Sequence, residues 1–365
     1  EIAMATSAYS ASGKGMLSTP ITKLLNIKHP ILLAGMNAVA HAELVAAVSN
    51  AGGLGVIGGL TMTPKMLRQQ LEEVKASLDD PGAFMCGVDL AIPLVGGARK
   101  TSYDYTHGKL PELIDIMIEY KIKLFVCAVG VPPAWAITKL HSAQIPVMNM
   151  VGSPRNAEKA IEAGVDIICA QGGEGGGHTG EIATSVLVPQ VVDICKHHMS
   201  PLFNIPVPVI AAGGIFDGRG LAMAFSLGAQ AVWVGTRFIA ATESAARPIH
   251  IEAVLSAKPT DTIKTLVYSG RPLRTKKTDY ILNWENNRSE EITKLCADGT
   301  VPFNHDMQTW DAEDKDVRIE EVYPLLMGQA SAAVTKVESA REIVENMVAE
   351  CVAVLHANNS FVVNS

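Results

Sequence analysis

His178 is the residue in this sequence whose type and position most favour catalysis. It ends a glycine-rich stretch, residues 171–178, that follows an apolar run at 165–170. Glycines in such numbers cost backbone entropy on folding, so the stretch is expected where the backbone must lie against a flat ligand. Histidine has the side-chain pKa nearest to neutrality, which suits proton transfer. The pattern predicts a general base beside a planar ligand, although a lone histidine is more commonly a surface or core residue.

A second pattern predicts a site for a phosphate group. Gly213 and Gly214 follow one apolar run, and Gly235 and Thr236 follow the next. Glycines allow backbone N–H groups to approach an anion, and a following helix presents its partly positive N-terminus. One such glycine usually marks only a turn. Two sets of them after neighbouring strands indicate a phosphate cradle.

Strands must position these residues, and the chain has short apolar runs that alternate with helical patterns. Eight runs are typical of strands: residues 30–34, 53–57, 83–89, 123–129, 146–151, 165–170, 207–212 and 231–234. Helical periodicity separates them, as in residues 64–78, where Thr63 is the expected N-cap and Pro64 the first helical residue. Strands that alternate with helices pair in parallel through right-handed crossovers. The prediction is an α/β fold, a closed (β/α)8 TIM barrel with its site at the strand C-termini, and the rival is a doubly wound open sheet.

The alternating pattern stops near residue 242. Residues 243–319 are charged and poor in apolar runs, which predicts a smaller, mostly helical lid domain inserted after the eighth strand. Residues 320–365 regain helical periodicity, so they are expected to return to the barrel and complete it together with residues 17–242. The Ala- and Ser-rich residues 1–16 are expected to be a flexible N-terminus outside the fold.

Residues 91–109 are too long for an ordinary loop between a strand and a helix, and they fall on the expected face of the site. The basic and aromatic residues of this segment are Arg99, Lys100, Tyr103, Tyr105 and His107. The segment is predicted either to attract an anion and wall off the ligand, or to be a solvated excursion.

Composition and charge exclude several classes of protein. The net charge is −7 and no stretch interleaves basic with aromatic residues, which argues against nucleic acid as a partner. No apolar run approaches the roughly 18 residues needed to cross a bilayer, so no membrane span is expected. The six cysteines form no C-x-x-C pair and are expected to be reduced, which indicates an intracellular protein, cytoplasmic or mitochondrial. The histidine spacings suggest no metal site.

The combination of these motifs resembles the nitronate monooxygenase family, whose members were formerly called 2-nitropropane dioxygenases. The resemblance is carried by residues 34–36, 51–55, 171–178, 211–220, 235–238, 269–272 and 328–329. It extends over residues 30–330. Flavin-dependent enoyl-ACP reductases and NADH:quinone oxidoreductases share much of the same motif set.

The resemblance implies FMN as the cofactor and His178 as the catalytic base. It implies that the cofactor is bound by Ala34, Gly35, Met36, Asp89, Gln171, Gly176, Gly177, Gly213, Gly214, Gly235, Thr236 and Gln329. Residues 34–36 would line the isoalloxazine ring, and Gln329 would close over the cofactor from the C-terminal segment. Asp89 stands where relatives often have Asn, and Gly175 stands where Ala is frequent.

The activity implied is the oxidation of alkyl nitronates by FMN and dioxygen to a carbonyl compound and nitrite. Neutral nitroalkanes would also react if His178 removed their α-proton. Two alternatives stay open: an NAD(P)H-dependent flavin oxidoreductase acting on an enoyl thioester or quinone, and a non-catalytic FMN-binding regulatory or scaffold barrel. The expected partners are the nitronate and dioxygen, and the expected state is a monomer or a homodimer.

Overall fold

Eight parallel strands form the centre of the computed structural model, which describes residues 17–92 and 99–362. The expected flexible N-terminus, residues 1–16, lies outside these ranges. The barrel strands are β1 (Ile31–Leu33), β2 (Val56–Gly58), β3 (Gly87–Ala91), β4 (Leu124–Ala128), β5 (Val147–Val151), β6 (Ile167–Gln171), β8 (Val209–Ala212) and β9 (Ala231–Val234). Their order is β1-β9-β8-β6-β5-β4-β3-β2. Each of the eight predicted runs contains or overlaps one of these strands. The strand β7 (Gly177–His178) belongs to a second, three-stranded sheet.

The first and last strands of this order meet, which closes the barrel. Leu32 forms a parallel bridge with Leu54, two residues before β2. The backbone N–H of Leu33 also donates to the carbonyl oxygen of Leu54 at 2.9 Å. The predicted (β/α)8 barrel is therefore confirmed, and the doubly wound open sheet is wrong.

Side chains along the strands alternate between the inside of the barrel and the surrounding helices. Leu32, Val126 and Ile210 belong to a buried cluster inside the barrel. Phe125 and Val88 belong to the larger cluster between the strands and the helices. Because the interior is filled with side chains, a ligand must bind at the mouth of the barrel.

Helices cover the outside of the barrel. Those between the barrel strands are Ala42–Asn50, Pro64–Ser77, Leu110–Tyr120, Ala134–Ser142, Pro154–Glu162, Thr184–Cys195 and Gly218–Ser226. Thr63 caps the second of them, since its Oγ1 accepts a hydrogen bond from the N–H of Met66 at 3.3 Å. Pro64 is its first residue, so the predicted start of this helix is confirmed.

The segment at 243–319, predicted as a mostly helical lid, contains four helices and a β-hairpin. The helices are Pro248–Leu255, Asp279–Asn287, Ser289–Asp298 and Pro302–Ala312. The segment has a small core of its own, in which Trp284 is fully buried and packs with Val267 and Ile292. Its separation from the barrel as a lid domain stays a prediction.

The hairpin was missed by the sequence analysis. Its strands, β10 (Thr262–Thr265) and β11 (Leu273–Lys276), are antiparallel, and β11 also pairs with β7 (Gly177–His178). β10 and β11 each have only four residues and include lysine or arginine, so their hydrophobicity gave little signal for strands. The β-branched Thr262, Ile263 and Thr265 of β10 would have been the available clue.

The C-terminal helix begins later than its periodicity suggested. It comprises Ala340–Asn359, whereas residues 323–338 contain a short 3-10 helix, Gln329–Ala333, and no α-helix. Ser339 sets the start, because its Oγ accepts from the N–H of Glu342 and its own N–H donates to the Glu342 carboxylate. The helix packs on the barrel so closely that a Cβ atom at Gly218 would lie 2.4 Å from the backbone nitrogen of Cys351.

Candidate active site

The residues expected to line the cofactor ring meet at the C-terminal ends of β1, β3 and β9. A Cβ atom at Gly235 would lie 3.3 Å from Cβ of Ala34 and 3.5 Å from Sδ of Met36. A Cβ atom at Gly35 would lie 2.4 Å from Cβ of Asp89. The glycines therefore allow the three strand ends to approach one another at the barrel mouth.

Asp89 is a buried carboxyl group with an unsatisfied oxygen. The residue is 7% exposed, and its Oδ1 has no hydrogen-bond partner among the described residues. Burial raises the pKa of Asp89 to about 8, so the carboxyl is mostly protonated at neutral pH. A buried polar atom of this kind costs free energy until a bound group completes its hydrogen bonds. The neutral acid also resembles, in shape and charge, the Asn that relatives often have here.

The glycine-rich loop between β6 and β7 is fixed by hydrogen bonds on its inner side. Nε2 of Gln171 donates to the carbonyl oxygens of His178, at 2.9 Å, and Gly176, at 3.4 Å. Gly177 has a φ of 70°, in the left-handed region that favours glycine. A Cβ atom at Gly176 would lie 2.7 Å from the backbone nitrogen of Gly328. Gln171 thus positions the loop, and the C-terminal segment packs directly on it.

Two charged residues that the sequence analysis did not single out hold the same loop from outside. Oε2 of Glu174 accepts a hydrogen bond from the N–H of Thr184 at 3.0 Å, at the start of the helix Thr184–Cys195. Arg274, in β11, donates from Nε and Nη2 to the carbonyl oxygen of Gly173 at 3.0 and 2.8 Å. Both anchors make the loop a fixed surface. Glu174 is the single carboxylate within a run of glycines, and this position in the sequence could have indicated that it anchors the loop.

The two glycines expected in a phosphate cradle form a turn directly after β8. Gly213 and Gly214 have φ values of 96° and 72°, which L side chains rarely adopt. A Cβ atom at Gly214 would lie 3.6 Å from Cβ of Glu174, an ordinary van der Waals distance, and no backbone atom of another described residue, its chain neighbours aside, would lie within 4 Å of it. The hydroxyl of Thr184 donates to the carbonyl oxygen of Gly213 at 3.0 Å and steadies the turn.

The C-terminal segment reaches the same place through two hydrogen bonds. The N–H of Gly328 donates to Oγ1 of Thr236 at 2.9 Å, directly after β9. The N–H of Gln329 donates to the carbonyl oxygen of Glu174 at 2.9 Å. Gln329 therefore lies next to the glycine-rich loop, more than 150 residues away in sequence.

His178 lies in β7, where the glycine-rich loop joins the small antiparallel sheet. Its Nε2 is 2.9 Å from Oγ of Ser269. The Ser269 hydroxyl lies 3.3 Å from the carbonyl oxygen of Arg271, and when it donates there its oxygen can accept from His178 Nε2–H. With this tautomer the lone pair of the imidazole is on Nδ1. Among the described residues Nδ1 has no hydrogen-bond partner.

The environment of His178 keeps its imidazole neutral. Burial, followed by the positive charge of Arg271, lowers the pKa of His178 to about 4. At pH 7 the ring therefore has a free lone pair in nearly every molecule, but its conjugate acid is strong. His178 is consequently an available but weak base.

The described part of the long segment after β3 belongs to the site. Nη1 of Arg99 donates to the carbonyl oxygen of Gly270 at 3.0 Å. Nη2 of Arg271 donates to Oγ of Ser102 at 2.9 Å. The segment thus packs on the turn that carries Ser269, the partner of His178.

These residues fit the FMN that the resemblance implies. The unsatisfied oxygen of the neutral Asp89 can complete a hydrogen bond with a polar edge of the flavin ring. The backbone of Gly213 and Gly214, held at positive φ shortly before the helix Gly218–Ser226, suits a phosphate group. A closed (β/α)8 barrel with polar side chains and glycines gathered at its mouth belongs to the class of barrel enzymes, whose sites lie at the C-terminal ends of the strands.

The sequence model of the nitronate monooxygenase family matches residues 18–350, and the chain belongs to that family. It is therefore an oxidoreductase enzyme. A probable nitronate monooxygenase of Staphylococcus saprophyticus subsp. saprophyticus is 35% identical over 297 residues, which are 73% of this chain and 80% of that protein.

Other similar proteins have different names. A Mycobacterium tuberculosis protein named (3aS,4S,5R,7aS)-5-hydroxy-7a-methyl-1-oxo-octahydro-1H-indene-4-carboxyl-CoA dehydrogenase is 36% identical over 270 residues, 74% of this chain and 69% of its own. The structure of FabK from Thermotoga maritima is 30% identical with a TM-score of 0.73, and the match covers 95% of this chain and 100% of that one. The fold and family thus accommodate more than one named activity.

Among the described residues, the cysteines form neither a disulfide nor a metal site. All six cysteines are free thiols, and five of them are buried. Within residues 17–92 and 99–362, no group of three His, Cys, Asp or Glu side chains is arranged to hold a metal ion. In the same part of the chain no helix combines the length and the apolar character needed to cross a bilayer.

Proposed function

We propose that this protein uses FMN and dioxygen to oxidise alkyl nitronates to a carbonyl compound and nitrite. The observation that most supports this is the state of His178, a neutral and weakly basic imidazole beside the positive charge of Arg271. A nitronate is already deprotonated at its α-carbon and carries a negative charge. It therefore needs no strong base and is attracted by the cation, whereas a neutral nitroalkane gains neither advantage.

FMN would supply the redox chemistry, accepting electrons from the substrate and passing them to dioxygen. The residues proposed to hold it are Ala34, Gly35, Met36, Asp89, Gln171, Gly176, Gly177, Gly213, Gly214, Gly235, Thr236 and Gln329. Residues 34–36 and Asp89 would lie along the ring, and the glycine backbone after β8 and β9 would bind the phosphate. Gln171 would act through the loop that it holds.

His178 has two roles in this proposal. Its Nδ1 takes the α-proton when a neutral nitroalkane binds, while the Ser269 hydroxyl holds Nε2–H and fixes the ring. Because the conjugate acid of His178 is strong, this proton transfer is slow compared with turnover of a preformed nitronate. The protein is therefore proposed to be mainly a nitronate oxidase, with a lower activity on nitroalkanes.

A second candidate function is favoured by the names of two relatives. The M. tuberculosis dehydrogenase and the T. maritima FabK both match this chain at 30% identity or more. An NAD(P)H-dependent flavin oxidoreductase acting on a thioester or quinone would use the same barrel and cofactor cradle.

The experiment that separates the two candidates is anaerobic mixing of the FMN-loaded protein with one reductant at a time. Propyl-2-nitronate, NADH and NADPH are each added while the flavin absorbance is followed. The proposal predicts rapid loss of oxidised-flavin absorbance with the nitronate and slow or no change with either nicotinamide. Rapid bleaching by a nicotinamide, with no response to the nitronate, would select the second candidate.

A further inference from the structure

Two segments that are far apart in sequence interlock beside His178. One contains Arg99, Thr101 and Ser102, and the other is the turn after β10 that contains Gly270 and Arg271. Gly270 has a φ of 65°, and a Cβ atom there would lie 2.5 Å from Oγ1 of Thr101. Together with the hydrogen bonds from Arg99 to Gly270 and from Arg271 to Ser102, this contact fixes the two arginines relative to each other.

The two guanidinium groups are close enough to affect each other. Burial, and then the positive charge of Arg99, lowers the pKa of Arg271. Burial raises the pKa of Tyr105, and the positive charge of Arg271 opposes that rise. Arg99 is exposed and, among the described residues, has a backbone carbonyl as its hydrogen-bond partner and no carboxylate. Holding two cations together in a half-buried place costs free energy, and a bound anion would offset that cost.

Arg271 is also the charged neighbour of the proposed base. Its charge acts on His178, and its carbonyl oxygen accepts from the Ser269 hydroxyl that holds His178. An anion bound by Arg271 would therefore lie next to the imidazole that faces the substrate.

We propose that Arg99 and Arg271 form an oxyanion subsite that binds a planar, two-oxygen anion of the substrate beside His178. A guanidinium group presents parallel N–H donors that match the two oxygens of a nitronate or a carboxylate, which a lysine would not match. Tyr105 contributes a phenol to the same place. This inference rests on the proposed function, because it takes the substrate to be anionic, and it assigns the residues that select it.

The test measures anion binding apart from turnover. Nitrate is planar, anionic and redox-inert here, so its dissociation constant is measured with the FMN-loaded protein by flavin difference absorbance and by calorimetry. For Arg271→Met the constant is expected to rise by about tenfold or more, and for the more exposed Arg99→Met by about threefold. Arg271→Lys keeps the charge but not the fork, and it is expected to fall between wild type and Arg271→Met.

The matched control is Lys109→Met, which removes a positive charge from the same segment. Lys109 is exposed and lies 3.8 Å from Glu112, at the start of the helix Leu110–Tyr120. Its nitrate constant should stay within about twofold of wild type. Equal weakening by Lys109→Met would overturn the proposal in favour of general electrostatic attraction. An unchanged constant in both Arg271→Met and Arg99→Met would also overturn it.

A second readout detects the position of Arg271 rather than its contribution to folding. Removal of its charge should move the low-pH limit of nitroalkane oxidation to higher pH, because that charge lowers the pKa of His178. If Arg271→Met fails to fold, Arg271→Lys, Arg99→Met and the nitrate titration of wild type in increasing chloride still decide the question. If the arginine variants lose nitrate binding but the wild-type protein does not turn over any nitronate, the anion subsite is supported and the proposed function is rejected.

A comparison of two substrates shows whether the two oxygens bound at the subsite belong to a nitronate group or to a carboxylate group. A simple alkyl nitronate offers only the nitronate group, whereas a nitronate with a terminal carboxylate offers two anions. If Arg271→Met raises KM equally for both, the nitronate group occupies the subsite. A rise confined to the second substrate assigns the subsite to the carboxylate, and no rise for either contradicts the proposal.

Discussion

The candidate site has two sides that are built differently. The ends of β1, β8 and β9 form one side, where glycine backbone provides the surface. β7 and the turn after β10 form the other side, where polar and charged side chains provide the surface. The first side has the glycines Gly213, Gly214 and Gly235, and the neutral Asp89 of β3 lies beside it, next to Gly35. The second has His178, Ser269 and Arg271, joined by hydrogen bonds and by charge. Under the proposed function, the cofactor would be bound mainly by backbone, and substrate choice would depend on a few side chains.

The largest expected effect is on the side-chain half of the site. His178→Ala should retain FMN but lose about 10³-fold in kcat/KM with a neutral nitroalkane, because the substitution removes the proposed general base. With a preformed nitronate the loss should be less than about tenfold. Steady-state oxygen uptake with both substrates checks this, and equal loss on both would show that His178 is not the base.

The pH dependence of the wild-type enzyme follows from the same residue. The pKa of His178 is lowered to about 4, so its lone pair is available throughout the neutral range. Nitroalkane oxidation should therefore be independent of His178 ionisation above about pH 5 and fall as the pH decreases through about 4. A fall centred near the ordinary pKa of histidine would contradict the neutral, buried state.

A substitution in the backbone half should release the cofactor. At Gly213→Ala the new Cβ atom would lie 2.9 Å from the carbonyl oxygen of Gly172, and the φ of 96° would be strained. FMN affinity should fall by about 100-fold, measured by flavin fluorescence on titration of the apoprotein. The matched control is Gly164→Ala, where φ is 92° but no atom lies within 4 Å. That variant should lose stability by about 1 kcal/mol and keep FMN, and FMN loss in both would contradict a local cradle.

A smaller effect is expected at the hydroxyl that holds the base. Ser269→Ala removes the partner of His178 Nε2, so nitroalkane kcat should fall by about tenfold while nitronate oxidation changes little. Ser256→Ala removes a hydroxyl that donates to the carbonyl oxygen of Glu252 at the end of another helix, and it should leave both activities unchanged. The positioning role would be rejected if the two variants behaved alike.

The smallest expected effect concerns Asp89 and appears as stability. The pKa of Asp89 is raised to about 8 in the folded protein, from 3.8 as its ordinary value. The unfolded chain therefore loses its proton first, so this group reduces stability progressively as the pH rises from about 4 to about 8. Asp89→Asn has no such ionisation and should melt about 2–5 °C above wild type at pH 8, with little difference at pH 4. Calorimetry at both pH values checks this, and an equal difference at both would contradict the buried neutral acid.

The same comparison explains what the sequence could predict. The eight strands and the glycines after β8 and β9 were predictable, because each is a local pattern of hydrophobic and glycine residues. The family resemblance placed Gln329 over the cofactor, whereas its backbone hydrogen bond to Glu174 of the loop was not predicted. Ser269 and Arg271 were seen only as part of a motif, because their relation to His178 depends on the pairing of β7 with β11, two short polar strands without a hydrophobic signal.

Arg99 and Glu174 show two reasons why a contact could not be predicted from the sequence. The basic segment around Arg99 was recognised, but its packing on Gly270 is a contact between residues 171 positions apart, which composition does not reveal. Glu174 is local to the glycine-rich loop, yet its role depends on the N-terminus of the helix Thr184–Cys195. Local motifs therefore predicted the cofactor side, and three-dimensional contacts were needed for the substrate side.

The function proposed for this protein is the oxidation of nitronates, not the reduction of a substrate by a nicotinamide. The most direct measurement is nitrite release in air from the FMN-loaded protein with an alkyl nitronate as the sole substrate. Nitrite should form in proportion to the nitronate consumed, with oxygen uptake and without any need for NADH or NADPH. Absence of nitrite, together with flavin turnover that requires a nicotinamide, would contradict the account.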